Sequence, residues 1–294
     1  MDSHILPAFV GRWMKRNGTG FIRRAVAPNK RMQDLSKVKM LCSACEQRFS
    51  GGEAWFSDNV FLPYIEGGKR VFEYGHELYY FMVSVLWRGM EREIAALEVA
   101  EPAFAVKARG VHERWRRYLL DPTVVRPKGD AKAFLLFFDS IERADRPTLG
   151  VNLYLTSAAD TAIALGGGHG FVSAVLPRFG MIGEIESLPE DSLRGSEITP
   201  SSGTISADGQ YTGSPVSDFL VGRAEGAMER YYDRINEKSL GIIDRDMARL
   251  APTSDLMKQV AIDELFGRRA GAELPKNARC SCGSGKKYQR CCGS

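Results

Sequence analysis

The chain has 294 residues, of which 44% are hydrophobic and 26% charged, a balance that suits a globular protein with substantial cores. No uninterrupted apolar run is long enough to cross a bilayer: the richest, Leu78 to Trp87, breaks at Arg88 and is followed by Glu91, Arg92 and Glu93. The start lacks the basic-then-apolar plan of a signal peptide, so a cytoplasmic protein is expected.

The net charge of +4 conceals an asymmetry. Residues 1–40 carry nine Lys and Arg against Asp2 and Asp34, and residues 268–294 carry seven against Glu273. The head is therefore +7, the tail +6, and the stretch between them −9. Basic ends around an acidic body suit contact with an anion such as nucleic acid; the competing reading is that small zinc modules and exposed tails are basic for solubility.

In chain order, Ile5, Phe9, Val10, Trp13 and Met14 recur at helical spacing and predict a short helix over 5–16. A basic, glycine-containing stretch, 17–39, reads as loop and irregular strand. A turn at Cys42 to Cys45 runs into a helix through Phe61. Two longer helices are expected over 76–99 and 103–120, the second stopped by Asp121-Pro122. Short apolar runs at 133–138, 150–155, 162–165, 171–176 and 181–185 then predict an antiparallel sheet. Gly166-Gly167-Gly168-His169-Gly170 reads as a hairpin loop, since it lacks the Lys-Ser/Thr ending of a phosphate loop. A Ser/Gly/Pro/Thr-rich loop fills 188–216, and helices are expected over 215–237 and 242–266. The plan is an α+β fold: a zinc-finger region over 1–66, an α+β body over 67–266, a linker over 267–279 and a knuckle over 280–294.

The six cysteines fall into two groups. Clustering at metal-ligand spacing favours zinc over disulfides. In the tail, Cys280-x-Cys282 and the adjacent Cys291-Cys292 supply four thiols, enough for a tetrahedral zinc. Gly283 and Gly285 let the chain fold back, and Lys286, Lys287 and Arg290 offset the negative charge of a four-thiolate centre. So short a segment has almost no core and needs metal to fold.

Cys-x-Cys-x8-Cys-Cys, with Gly-Ser-Gly-Lys-Lys-Tyr inside it, resembles the SEC-C motif found at the C-terminus of the protein-translocation ATPase SecA. That resemblance implies a zinc-bound docking tag for a partner protein or the ribosome. It does not imply translocase activity, since the rest of the chain has no phosphate loop.

A second resemblance lies at the other end. Asp2-Ser3-His4-Ile5-Leu6-Pro7 and Leu41-Cys42-Ser43-Ala44-Cys45-Glu46 resemble HNH endonucleases and uncharacterised bacterial HNH-like proteins. The resemblance implies His4 as the general base, Cys42 and Cys45 as half of a structural zinc site, and Mg2+ or Mn2+ at the scissile phosphate. Glu46 stands where the last catalytic His is expected, the orienting Asn before Cys42 is missing, and the second Cys-x-x-Cys would lie upstream of His4. Three readings stay open: a structural zinc site using His4, Cys42 and Cys45 with Asp2, Glu46 or water as fourth ligand; a working nuclease of a defensive kind; and no metal here. Elsewhere, His76 and His112 read as positions on a solvated helix face, with a binding role as the alternative, and Trp115 and Trp13, beside basic residues, read as the same or as platforms for bases. Asp139, Glu142 and Asp145 read as a polar turn or a cation site.

Overall fold

The structure, a computed structural model, describes residues 2–122, 132–139, 150–251, 254, 256–261, 277, 280, 284 and 286–292. Cys282, Glu142, Asp145, residues 262–266 and the linker apart from Asn277 lie outside them. It is an α+β fold in which every strand pair is antiparallel. The chain divides into two units that interleave in sequence: one is drawn from 1–9, 36–138 and 159–217, the other from 10–35, 139–158 and 218–294.

The first unit opens with β1 (Asp2–His4), which pairs with β4 (Lys37–Lys39) and sets His4 opposite Lys37. Between them run α1 (Ala8–Asn17) and the strands β2 (Ile22–Arg24) and β3 (Ala27–Met32), most of which belong to the second unit. After β4 comes α2 (Ser43–Phe56), which widens through a π turn (Ser57–Phe61) into the short α3 (Leu62–Ile65) and then β5 (Val71–Tyr74).

The axis of this unit is α4 (His76–Ala100). Every residue from Leu78 to Met90 is buried, so the helix has no wet face there and needs neighbours all round. It packs against α2, against α5 (Pro102–Leu120) and against a sheet. The α4–α5 turn is short because Glu101 precedes Pro102 and is pushed out of helical geometry (φ −141°, ψ 67°), while Pro102 is pre-set for the first turn of α5. Asp121-Pro122 ends α5 by the same restriction, with Asp121 extended.

The sheet contains β6 (Ala133–Phe137), β7 (Asp160–Gly166), β8 (His169–Leu176), β9 (Phe179–Glu186) and β10 (Glu197–Ile198), in the order β10-β6-β9-β8-β7. The glycine run is the β7–β8 hairpin turn: Gly167 and Gly168 both have positive φ (62° and 80°), as a two-residue turn of this hand requires, and Gly166 faces His169. The loop over 188–216 also carries β11 (Gly203–Ser206), which pairs with β5. Aromatic rings fill the core of this unit. Phe56 stacks on Phe81 at 4.1 Å and Phe61 on Phe179 at 5.5 Å between ring centroids.

Trp115 is fully buried in this core, so it is not a platform for bases. Its ring lies over β9 at Gly183, where an added Cβ would fall 2.3 Å from Trp115 Cη2 and 3.1 Å from Leu86 Cδ1. Gly183→Ala therefore overpacks the helix–sheet junction and lowers stability by about 1–3 kcal/mol. Urea unfolding checks this as a lower midpoint with an unchanged slope.

In the second unit, α6 (Val151–Ser157), α7 (Val216–Arg234) and α8 (Glu237–Met247) are the main helices. The strand expected over 150–155 is the helix α6. An apolar run this short has no readable period. Here Gly150 enters the helix at φ +77°, close against Met228, and Thr156 Oγ1 donates to the Asn152 carbonyl at 2.6 Å. The helix expected over 242–266 begins earlier, at Glu237, because Asn236 caps it by accepting the Ser239 N–H at 2.8 Å. It stops at Met247, five residues before Pro252, and helix resumes at 256–261. Asn29 at the β2–β3 hairpin clips the α7–α8 elbow: its Nδ2 donates to the Arg234 carbonyl at 2.8 Å and its Oδ1 accepts the Asn236 N–H at 2.9 Å. Trp13 is buried in α1 and, like Trp115, offers no exposed ring. Among the described residues no helix is long and apolar enough to cross a membrane.

Candidate metal centre

The tail folds back on itself through its backbone. The Cys280 N–H donates to the Lys286 carbonyl at 2.8 Å. A 3-10 turn, Tyr288–Arg290, then swings the last cysteines round, with the Cys291 N–H donating to the Tyr288 carbonyl at 3.0 Å. The sulfurs of Cys280, Cys291 and Cys292 end within 4.8 Å of one another, and those of Cys291 and Cys292 are 3.9 Å apart.

That spacing discriminates between two chemistries. A disulfide needs sulfurs about 2.05 Å apart. Thiolates about 2.3 Å from a tetrahedral zinc sit about 3.8 Å from each other. The Cys291–Cys292 distance therefore fits one edge of a metal tetrahedron, and the donor set, all sulfur, fits zinc. Ser284 Oγ lies 3.2 Å from the Cys291 sulfur and accepts the Lys286 N–H at 3.3 Å, bracing the turn. Cys280 is buried and Cys292 exposed, so the group opens to solvent on one side.

Of the cations expected to offset the centre, two also hold the tail in place. Arg290 pairs with Glu237 at the start of α8 at 2.6 Å, and Lys287 Nζ donates to Asn277 Oδ1 at 3.0 Å.

The N-terminal candidates are placed differently. His4 ends β1, and its carbonyl accepts a hydrogen bond from Arg88 Nη1 at 3.0 Å. Cys42 is the extended residue that caps α2, with Cys45 and Glu46 in the first turn. Among the described residues no group of three donors includes His4, Cys42, Cys45 or Glu46. The backbone N–H of Cys45, and then its thiol, hold Cys42 below the ordinary thiol value; the Cys42 thiol and partial burial push Cys45 above it.

His76 is exposed beside Glu77. Arg116 and Arg117 both pair with Glu113 on the solvated face of α5, and their hydrogen bonds hold its carboxyl down to about 2.

His112 is buried, stacked on Trp87 at 4.9 Å, with Nε2 2.9 Å from a Glu91 carboxylate oxygen. Burial pushes its pKa below the ordinary value, against the opposing pull of Glu91. As pH falls through about 6.5, the unfolded chain takes up a proton that the folded chain refuses, so stability declines until the lower folded value is reached. Urea midpoints measured from about pH 8 to pH 5 should fall more steeply in the wild type than in His112→Asn. Equal slopes would show that His112 contributes nothing.

The residue that sequence reasoning passed over is Arg88. It entered only as the break in an apolar run, yet it is almost wholly buried and pairs with Glu53 at 2.8 Å.

Fold and site together give an α+β chain with a cysteine-rich tail whose three described sulfurs could hold a metal ion. Residues 277–294 match the SEC-C motif. The match covers the tail alone. No curated protein and no solved structure matches the chain.

Proposed function

We propose that this protein binds zinc through Cys280, Cys282, Cys291 and Cys292 and uses the metal-folded tail to dock a partner protein. The observation that carries the reading is the convergence of three cysteine sulfurs within 4.8 Å of one another, with the Cys291–Cys292 pair at 3.9 Å matching an edge of a zinc tetrahedron. Zinc coordination fixes the fold of a segment in which Cys280 is the one buried residue among those described. Its exposed face carries Lys286, Gln289, Arg290 and Cys292, so a partner with an acidic docking surface fits it.

The test is capture by the immobilised, zinc-loaded chain. Wild type should retain a partner after nuclease treatment, while Cys291→Ser/Cys292→Ser and Lys286→Glu/Arg290→Glu should not. Capture that disappears with nuclease would replace the protein partner by nucleic acid. Equal capture by the cysteine variant would refute the docking role.

A further inference from the structure

The pair Cys42 and Cys45 belongs to no three-donor group among the described residues, and its geometry suits another chemistry. Cys42 stands just outside α2 with extended backbone (φ −82°, ψ 167°), and Cys45 sits three residues on, in the first turn. Residues three apart at a helix start are neighbours on one side. The non-helical cap residue supplies the freedom for its sulfur to close on the other, which two residues inside a regular helix lack. The segment is anchored on both flanks: the Leu41 N–H donates to Ser3 Oγ at 3.1 Å, and Phe49 is buried against Tyr80. Between those anchors Cys42, Ser43 and Ala44 are exposed, while Cys45 is partly covered. Both cysteines are free thiols.

We infer that Cys42 and Cys45 form a reversible dithiol–disulfide pair that exchanges with small-molecule disulfides such as oxidised glutathione. Cys42, the exposed member, is the attacking thiol. Its thiolate attacks one sulfur of the glutathione disulfide, that S–S bond breaks, a mixed disulfide forms on Cys42, and one glutathione thiolate leaves. The thiolate of Cys45 then attacks the Cys42 sulfur, closes the Cys42–Cys45 bond and expels the second glutathione. The protein loses two electrons and two thiol protons, and one glutathione disulfide becomes two glutathiones. The inference is independent of the tail, whose thiols are counted separately.

The test uses the full-length, zinc-loaded chain equilibrated in glutathione buffers of rising oxidised fraction, then quenched in acid, alkylated and digested with trypsin. Cleavage after Lys39 and Arg48 yields one peptide, Met40 to Arg48, that holds both cysteines and neither tail pair. In wild type this peptide should become lighter by two hydrogens and resist alkylation, and it should revert on reduction. Cys45→Ser should stop at a glutathione adduct on Cys42, because the resolving thiol is gone. Cys42→Ser should gain almost no adduct. A wild-type peptide that remains doubly alkylated, or that carries only glutathione adducts, overturns the inference. So does a second zinc per chain that is lost in Cys42→Ser, which would make the pair metal ligands.

Discussion

Replacing Cys291 and Cys292 by serine should remove one zinc per chain and unfold the tail while leaving the α+β body at its original melting temperature. Structural zinc contributes about 10–16 kcal/mol of binding free energy in small metal-folded segments near neutral pH. The other tail contacts named above are weak by comparison. The Arg290–Glu237 pair has its two side chains 70% and 61% exposed, and pairs so exposed are worth about 0–1 kcal/mol. The Lys287–Asn277 hydrogen bond and the backbone turn at Cys280 and Lys286 add little net stability against the entropy of ordering the segment. Elemental analysis reads the metal, hydrogen exchange over 280–292 reads the tail, and calorimetry reads the body. Acid should act as the mutation does, because the ligands must be thiolates. Unchanged zinc would remove the metal centre, and a large fall in the melting temperature of the body would mean that the tail is part of its core.

Arg88→Met should cost about 3–5 kcal/mol, a large part of the stability of an ordinary domain. Arg88 lies on the buried α4, with its guanidinium meeting three elements of the first unit. Nη2 is 2.8 Å from Glu53 Oε1 on α2, Nη1 donates to the His4 carbonyl on β1 at 3.0 Å, and Nε donates to the Ser84 carbonyl on α4 itself at 3.1 Å. The guanidinium also lies over the Phe49 ring at 5.5 Å. Truncation leaves Glu53 facing an apolar side chain and the His4 carbonyl without this donor. Since most of the cost is an uncompensated carboxylate, Arg88→Met combined with Glu53→Gln should recover part of it. Denaturant unfolding checks both variants; a loss below about 1 kcal/mol for Arg88→Met would show that the pair behaves as an exposed one.

The helices expected over 76–99 and 103–120 were legible because long segments state their type locally: recurring apolar positions in the first, and Asp121-Pro122 to stop the second. The β7–β8 hairpin was legible from glycine, whose positive φ at Gly167 and Gly168 is a backbone demand. The helix α6 was not, because seven residues make fewer than two turns, and the packing of Gly150 against Met228, almost eighty residues away, is absent from any local window. Trp115 beside Arg114, Arg116 and Arg117 looked available to a ligand. The sheet covers it, and the sequence carries no mark of which face of an amphipathic helix holds the larger aromatic.

The tail cysteines were the clearest signal, since a metal gathers ligands across a few residues and the spacing of Cys280, Cys291 and Cys292 is itself most of the geometry. At the other end, His4 and Cys42 are nearly forty residues apart, and whether they meet depends on how β1, β4 and α2 are placed. The sequence by itself thus determined the α+β composition and the sulfur-rich tail. Tertiary structure alone decided that His4 lies on a strand held by Arg88 and that the two units interleave along the chain. Local chemistry is written in neighbouring residues. Burial and pairing across long separations are settled only when the whole chain competes for the same core.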